Sequence, residues 1–463
     1  MTRPSWEEIQ SSIEQRMRSA SVHDICIQDF LDKTKKVYEG ATGLVDWNTI
    51  GDLNPEDVVE MDELPVPEDT GAISKFAIIK LNGGLGTSMG LSQAKSLIRI
   101  RRDATFFDII LKQVRHLREK TGLQIPLLFM NSFNTRDDTL NYPGIADINQ
   151  SLELSADFIQ NQVPRLNADT LLPVGDGNDG AHWCPPGHGD IYNSLWISGI
   201  LDTLLQKGFS HAFISNGDNL GAVMHSGIAH HMIQEGLDFA MEVTAKTRAD
   251  IKGGVLYRSL TGQKRIELLE TAQVPPDHKN DFEDISRFQD FSINNLWVSL
   301  ESLRDRLQKG PLSLSLIVNQ KSFEDQPVLQ LESAMGAAVG QFDRTRMIRV
   351  PRKRFAPVKS CADLLVRRSD ACELDENQAL VLRSRVEPVI QLDDNYKKVQ
   401  DFEAYFPEMP SLLSAHSLTV EGPWLFDAPV KIQGDVRLMN RTGAQKKISA
   451  LKRSNFKDES VKP

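Results

Sequence analysis

The chain has 463 residues, 40% of them hydrophobic and 25% charged. At about 150 residues per domain that is enough for two or three globular domains, and it excludes a mainly disordered, collagen-like or coiled-coil protein. Acidic residues outnumber basic ones 63 to 53, for a net charge of −10, so there is no general attraction to nucleic acid or membrane, and an anionic ligand needs a local basic site.

Between Ser5 and Tyr38, Ile9, Ile13 and Met17 share one helical face and Ile27, Phe30 and Leu31 another, which predicts a helical N-terminal extension. Residues 51–70, GDLNPEDVVEMDELPVPEDT, are acidic and proline-bearing without a Lys or Arg. They read as a connector that closes a first segment, 1–70. From Phe76, short apolar runs (FAIIKLN, then LLFMN at 127–131, then HAFISN at 211–216) alternate with helical patterns at Thr105–Lys120 and Ser194–Lys207. This predicts an α/β domain over 71–385 with a mainly parallel sheet and ligands at the C-terminal strand ends. Leu418-Thr-Val420, Val430-Lys-Ile432 and Val436-Arg-Leu438 alternate apolar and polar residues around Gly422 and Gly434, predicting a small all-β domain over 386–445. Residues 446–463 are polar and basic, lack an alternating apolar face, and are expected to be a disordered tail.

Four cysteines, Cys26, Cys184, Cys361 and Cys372, form no C-x-x-C pair and no disulfide framework, which fits a reducing compartment. The N-terminus lacks a signal-like apolar stretch and no apolar run is long enough to span a bilayer. A soluble, cytoplasmic protein is expected.

The sharpest motif is Lys80-Leu-Asn-Gly83-Gly84-Leu-Gly86-Thr-Ser-Met-Gly90, directly after a predicted strand. Glycines there let backbone N–H groups converge on phosphate oxygens. The motif is not a Walker A loop, and it misses the dinucleotide fingerprint because Met89 stands where a third glycine belongs. Taken alone it fits a structural turn as well as a phosphate cradle. Lys95, just beyond, is a cation suited to phosphate charge or an ordinary solvated lysine.

The string Lys80 to Gly90, then Leu-Ser-Gln-Ala-Lys95-Ser96, resembles the eukaryotic-type UDP-glucose pyrophosphorylases, whose spacer before the lysine usually carries a further lysine and a proline. Other blocks follow in family order: Phe158-Ile-Gln160-Asn-Gln-Val-Pro-Arg165, Pro185-Pro-Gly187-His188-Gly-Asp190, Asn216-Gly217-Asp218-Asn219, Lys252-Gly-Gly254, Glu270-Thr-Ala-Gln-Val-Pro275, Asn294-Asn295-Leu-Trp297, Leu331-Glu332-Ser-Ala-Met-Gly336, and Arg352-Lys-Arg354-Phe-Ala-Pro-Val-Lys359.

The resemblance implies a Rossmann-like nucleotidyltransferase domain with a mixed, mainly parallel sheet, plus a short left-handed β-helix-like C-terminal domain. It implies transfer of the uridylyl group of UTP to glucose 1-phosphate, reversibly and with Mg²⁺. Lys95 and Lys359 would be the catalytic cations. Leu81, Asn82, Gly83, Gly84, Gln160, Gly187 and Asn216 would bind the nucleotide, with Gln160 and the Gly187 backbone reading uracil. His188, Gly254, Glu270 and Asn295 would bind the sugar phosphate, and Asp218 the metal. On residue chemistry alone Asp218 could equally cap an Asx turn, Gln160 could be a buried structural amide and His188 a solvated loop residue. Gly217 stands where the family has serine, which predicts a looser loop. Ala362 also replaces a family serine, with no loss of activity expected.

The alternatives are a UDP-sugar pyrophosphorylase acting on other sugar 1-phosphates, a dinucleotide-binding oxidoreductase, and a catalytically silent nucleotide-binding protein. Long-tailed relatives assemble through the end of the β-helix, so a chain without that last coil is expected to be a monomer or small homo-oligomer, binding neither nucleic acid nor membrane.

Overall fold

Phe76-Ala-Ile-Ile-Lys-Leu-Asn82 is nearly all apolar, so both sides of its pleat need cover, the mark of an internal strand of a parallel sheet. The structure is a computed structural model, and it describes residues 4–67, 70–101, 103–247, 250 and 252–462. That segment lies inside an eight-stranded sheet. In chain order the strands are β1 (Val58–Glu60), β2 (Phe76–Asn82), β3 (Leu127–Asn131), β4 (Asp157–Ile159), β5 (His211–Asn216), β6 (Phe239–Ala245), β7 (Asp290–Ser299) and β8 (Thr345–Arg349). Across the sheet they run β1-β8-β6-β7-β5-β2-β3-β4. All are parallel except β7, which runs antiparallel between β5 and β6. The mixed, mainly parallel sheet expected from the sequence is therefore present.

Four helices matter below: α1 (Trp6–Ser19), α2 (Asp24–Tyr38), α3 (Phe106–Thr121) and α4 (Cys361–Arg368). Alternation along β2 sends Phe76 and Ile78 to one face, with α3, and Ala77 and Ile79 to the other, with the helices Ile200–Gln206 and Leu300–Leu307. A Thr105/Asp108 capping box starts α3 and Gly122, with φ 70°, ends it, as expected of a helix with both termini satisfied. The N-terminal helices form a third core: Ile9, Ile13, Met17, Ile27, Phe30 and Leu31 pack with Val163, Leu166, Trp183 and Leu331.

Three details differ from the sequence reading. The acidic connector contains β1, whose Glu60 is bonded to Arg349 of β8. A three-residue edge strand among acids has too little pattern to read in advance. The helix expected over Ser194–Lys207 is two helices, Ile191–Ile197 and Ile200–Gln206, broken at Gly199 with φ 71°.

The basic tail is also ordered. Beyond β9 (Val389–Leu392), β10 (Ser411–Glu421) and β11 (Lys431–Met439), the tail supplies β12 (Asn455–Val461), and all four strands pair in parallel in that order. Phe456 and Val461 are both buried although five residues apart, a spacing that strict alternation would put on opposite faces. The ladder shifts register between Gln433 and Val436, where Gly434 has φ 62° and lies against Asp458, with φ 44°. That irregularity restores the parity and hides the strand from a period-2 reading.

Residues up to Val461 belong to the same apolar cluster as Phe76 and α3. Deleting 446–463 should therefore lower the melting temperature by several degrees and increase binding of a hydrophobic dye. An unchanged melt would mean that β12 carries no stability.

Candidate active site

Level strand ends build the site. Asn82 and Asn131 are direct partners across β2 and β3, and Asn216 at the end of β5 pairs with Leu81. Their loops emerge at one height, the crevice where open α/β sheets bind ligands. Asn82 is buried and donates to Asn131 Oδ1 (3.0 Å) and Thr139 Oγ1 (2.8 Å), while the Ser96 hydroxyl donates to Asn82 Oδ1. Asn82 thus ties the glycine turn to β3, and its side chain is spent on protein partners.

Beyond these ends lies a cleft of about 370 Å³ lined by Leu81, Asn82, Gly83, Gly84, Lys95, Gln160, Gly187, His188, Asn216 and Asp218. Ten of the fourteen residues expected at the site are brought together there. At its mouth Lys95 Nζ lies 2.6 Å from Asp218 Oδ2, both side chains less than a quarter exposed. The Lys95 N–H donates to the Gly84 carbonyl (3.1 Å), fixing the lysine to the turn. In the loop before Asp218 the Gly217 N–H donates to Leu81 O at 2.9 Å, and a Cβ at Gly217 would stand 2.8 Å from that oxygen.

Gln160 and Gly187 are joined, the Gln160 Nε2 donating to the Gly187 carbonyl at 2.8 Å. Gly187 has φ 83°, and a Cβ there would lie 2.4 Å from the Ser333 carbonyl, so only glycine fits. Gly83 faces Gln160 Oε1 closely enough that a Cβ would come to 3.0 Å. His188 Nδ1 accepts from the Met335 N–H (3.0 Å), which leaves Nε2 as the protonated ring nitrogen. Burial lowers this imidazole to about 4, so at neutral pH it is an uncharged donor.

The other four expected residues lie off this cleft wall. Gly254 packs on Glu270, where a Cβ would be 3.0 Å from Oε2. Burial pushes the Glu270 carboxyl up, and the nearby Lys359 ammonium partly offsets this. Lys359 is exposed, and its N–H donates to Asp363 Oδ2 (2.8 Å), the acid that also closes the capping box of α4. The spacing Lys-x-x-x-Asp is thus a helix start. Asn295 is fully buried and donates to Glu242 Oε2 (2.9 Å), away from the cleft.

Glu242, with no exposed surface, also accepts from Trp297 Nε1 (3.0 Å) and pairs with the buried Arg354. Asn219, next to Asp218, donates to the Arg354 carbonyl (3.2 Å) and accepts from the Ala356 N–H (2.9 Å). This lattice joins the Asp218 loop to the segment that ends in Lys359. Lys80, also buried, donates to Ser215 Oγ and the Ala222 carbonyl, both at 2.8 Å, and burial lowers it to about 7.

Sequence reasoning assigned no role to Lys80, Glu242 or Arg354. Lys80 and Arg354 lay inside quoted motifs, and a charge within an apolar strand pattern was the available signal. Glu332 was likewise unassigned, yet it lines the cleft beside Gly187.

Among the described residues no group of three or more His, Cys, Asp and Glu could hold a metal unaided. A lone carboxylate such as Asp218, at the end of the cleft that holds Lys95, suits a hard cation that takes its remaining oxygens from phosphates and water.

Fold and cleft together define a nucleotide-handling α/β transferase. The family model described as UTP–glucose-1-phosphate uridylyltransferase matches residues 27–433. The enzyme of that name from Hordeum vulgare is 40% identical over 431 residues, covering 90% of each chain. That from Saccharomyces cerevisiae is 41% identical over 408 residues, covering 86% of this chain and 81% of its own. A variant of the UDP-glucose pyrophosphorylase of Leishmania major, solved in complex with UDP-glucose, superposes with a TM-score of 0.91 at 35% identity, over 99% of this chain and 100% of that one. The chain belongs to the UTP–glucose-1-phosphate uridylyltransferase family.

Breaking the buried pair should cost more than removing it. Arg354→Met strands the Glu242 charge and should destabilise by about 3–5 kcal/mol in denaturant melts. The double variant Arg354→Met/Glu242→Leu should recover part of that loss, and a double-variant loss equal to the sum of the two single losses would show that the two side chains act independently.

Proposed function

We propose that this chain joins UTP and glucose 1-phosphate to give UDP-glucose and pyrophosphate, reversibly. The observation that carries the reading is the Lys95–Asp218 contact, set between the glycine turn and the Gln160–Gly187 pair at the ends of parallel strands. The family assignment sets aside the oxidoreductase alternative.

An oxygen of the sugar phosphate attacks the α-phosphorus of UTP in line. A new O–P bond forms as the bond to the bridging oxygen breaks, and pyrophosphate leaves with that electron pair. The nucleophile is already an anion near neutral pH, so no side chain has to take a proton. The obstacle is repulsion: two like unit charges about 4 Å apart cost roughly 4 kcal/mol at an effective dielectric of 20.

Lys95 and Lys359 place positive charge against the phosphates, and the amides of Gly83 and Gly84 add fixed dipoles. Gln160 and the Gly187 backbone read the uracil edge, with Leu81 and Asn216 on the wall. Asn82 holds the turn in shape. His188 offers its Nε2–H to the sugar phosphate without adding charge. Gly254, Glu270 and Asn295 serve the sugar side, Gly254 by letting Glu270 approach and Asn295 from beneath. Mg²⁺, held by Asp218, supplies further neutralisation of the phosphates when bound.

We read the parallel stack from Val389 to Val461 as a short β-helix-like domain. Lys457, Asp458 and Glu459 on its last strand favour a monomer or small homo-oligomer, since charged edges discourage pairing. The four cysteines are free and buried, in keeping with a reducing, cytoplasmic setting. Among the described residues no helix is long and apolar enough to cross a membrane.

Purified protein should release pyrophosphate from UTP with glucose 1-phosphate and less with a panel of other sugar 1-phosphates. Failure with glucose 1-phosphate overturns the reading. Lys95→Ala and Lys359→Ala should each lower kcat by about 10²–10³ with little change in melting temperature, and Asp218→Asn should shift the Mg²⁺ titration. Wild-type turnover in the lysine variants would make those lysines bystanders. Light scattering should give a monomer or small oligomer, and an octamer at micromolar protein would place an interface elsewhere on the chain.

A further inference from the structure

The N-terminal helices stand outside the cleft, and no step above uses them. Yet α2 buries charge: Lys33 is 3% exposed, and its Nζ donates to Asp29 Oδ2 (2.7 Å) and to Ser333 Oγ (3.3 Å). Burying an ammonium and a carboxylate is costly, so such a pair is weak evidence of stabilisation and calls for another account.

The partners of Lys33 supply one. Ser333 donates its N–H to the Pro186 carbonyl (3.0 Å) and accepts the Gly189 N–H (2.8 Å), clasping the turn on both sides of Gly187. That turn is glycine at 187 and 189, and the side chain between them, His188, is itself tied to the Met335 N–H, two residues beyond Ser333. Two turns earlier on α2, the Cys26 thiol lies 3.8 Å from Asp190 Oδ1. Asp190 is buried, and its carboxylate accepts from the Asn161 N–H (2.7 Å) and the Ser194 hydroxyl (2.7 Å). Asn161 follows Gln160. Both halves of the Gln160–Gly187 pair are therefore held, one or two residues away, by groups in contact with the same helix.

We propose that α2 is a positioning element for nucleobase recognition, with Lys33 acting through Ser333 and Cys26 through Asp190 to set the spacing of Gln160 and Gly187. The proposal rests on the uridylyl-transfer reading. A site that reads a base by hydrogen bonds discriminates because mismatched groups are left unpaired, and this works only while its donors and acceptors keep their separation. None of the α2 groups touches the nucleotide. Their loss should appear in the affinity and selectivity for the base more than in the chemical step.

The test uses the full-length enzyme at saturating glucose 1-phosphate. It measures the KM for UTP, the inhibition constant of CTP against UTP, kcat and the melting temperature for wild type, Ser333→Ala, Lys33→Met and Lys33→Arg. Ser333→Ala removes one hydroxyl and keeps the test alive should Lys33→Met fail to fold. The expected result is a KM for UTP raised roughly three- to tenfold, the scale of one lost hydrogen bond. The ratio of the CTP inhibition constant to the UTP KM should narrow by a similar factor, kcat should stay within about twofold, and Lys33→Arg should restore part of the loss. Folded variants with wild-type KM and wild-type selectivity, or a fall confined to kcat, would overturn the proposal alone. A wild-type enzyme that makes no UDP-glucose would overturn the underlying reading as well.

Discussion

The constraint on which the site depends is that three parallel strands end level. Parallel ladders allow this because neighbours run the same way, and the pairing of Asn82 with Asn131 and of Asn216 with Leu81 fixes it. Amide side chains then lock the ends together through Asn82, Asn131 and Thr139. An amide has both donor and acceptor, so it can bridge two buried strand ends without bringing in charge. The glycine turn, the Gln160 strand and the Asp218 loop inherit their relative heights from that lock.

An acidic protein that handles polyphosphate must put its few relevant cations where they count. Lys95 is fixed by its own backbone to the turn, and Lys359 by the start of α4. Arg354 is neutralised by Glu242 and acts as a strut rather than as a field. Lys80 lies deeper, where burial depresses its protonation while Glu242 and Asp218 oppose that depression. Fixed charge is thus held on the loops at and around the cleft, and the supporting layer beneath is close to neutral.

The alternating strands and helices of the catalytic body were readable from the sequence because each of β2, β3 and β5 is a clean apolar run. Its motifs marked most of the cleft for the same reason: chemistry that needs glycine backbone and a following lysine leaves a string that few other needs produce. The parts that escaped notice were set by long-range contacts. Glu242 and Arg354 lie 112 residues apart, and nothing local announces their pairing. β12 was hidden by a register irregularity, and β1, half-buried along its length, by its edge position and brevity.

The apolar cluster that includes Phe76 and Ile78 also takes in Phe456 and Val461. The ribosome makes these some 380 residues after β2. At about 5–20 residues per second, that interval lasts roughly 20–75 s. During synthesis the apolar cluster that begins on one face of the central sheet therefore stays incomplete for many seconds, until its last residues emerge. A nascent chain of this architecture has to be kept from aggregating until its final strand is in place.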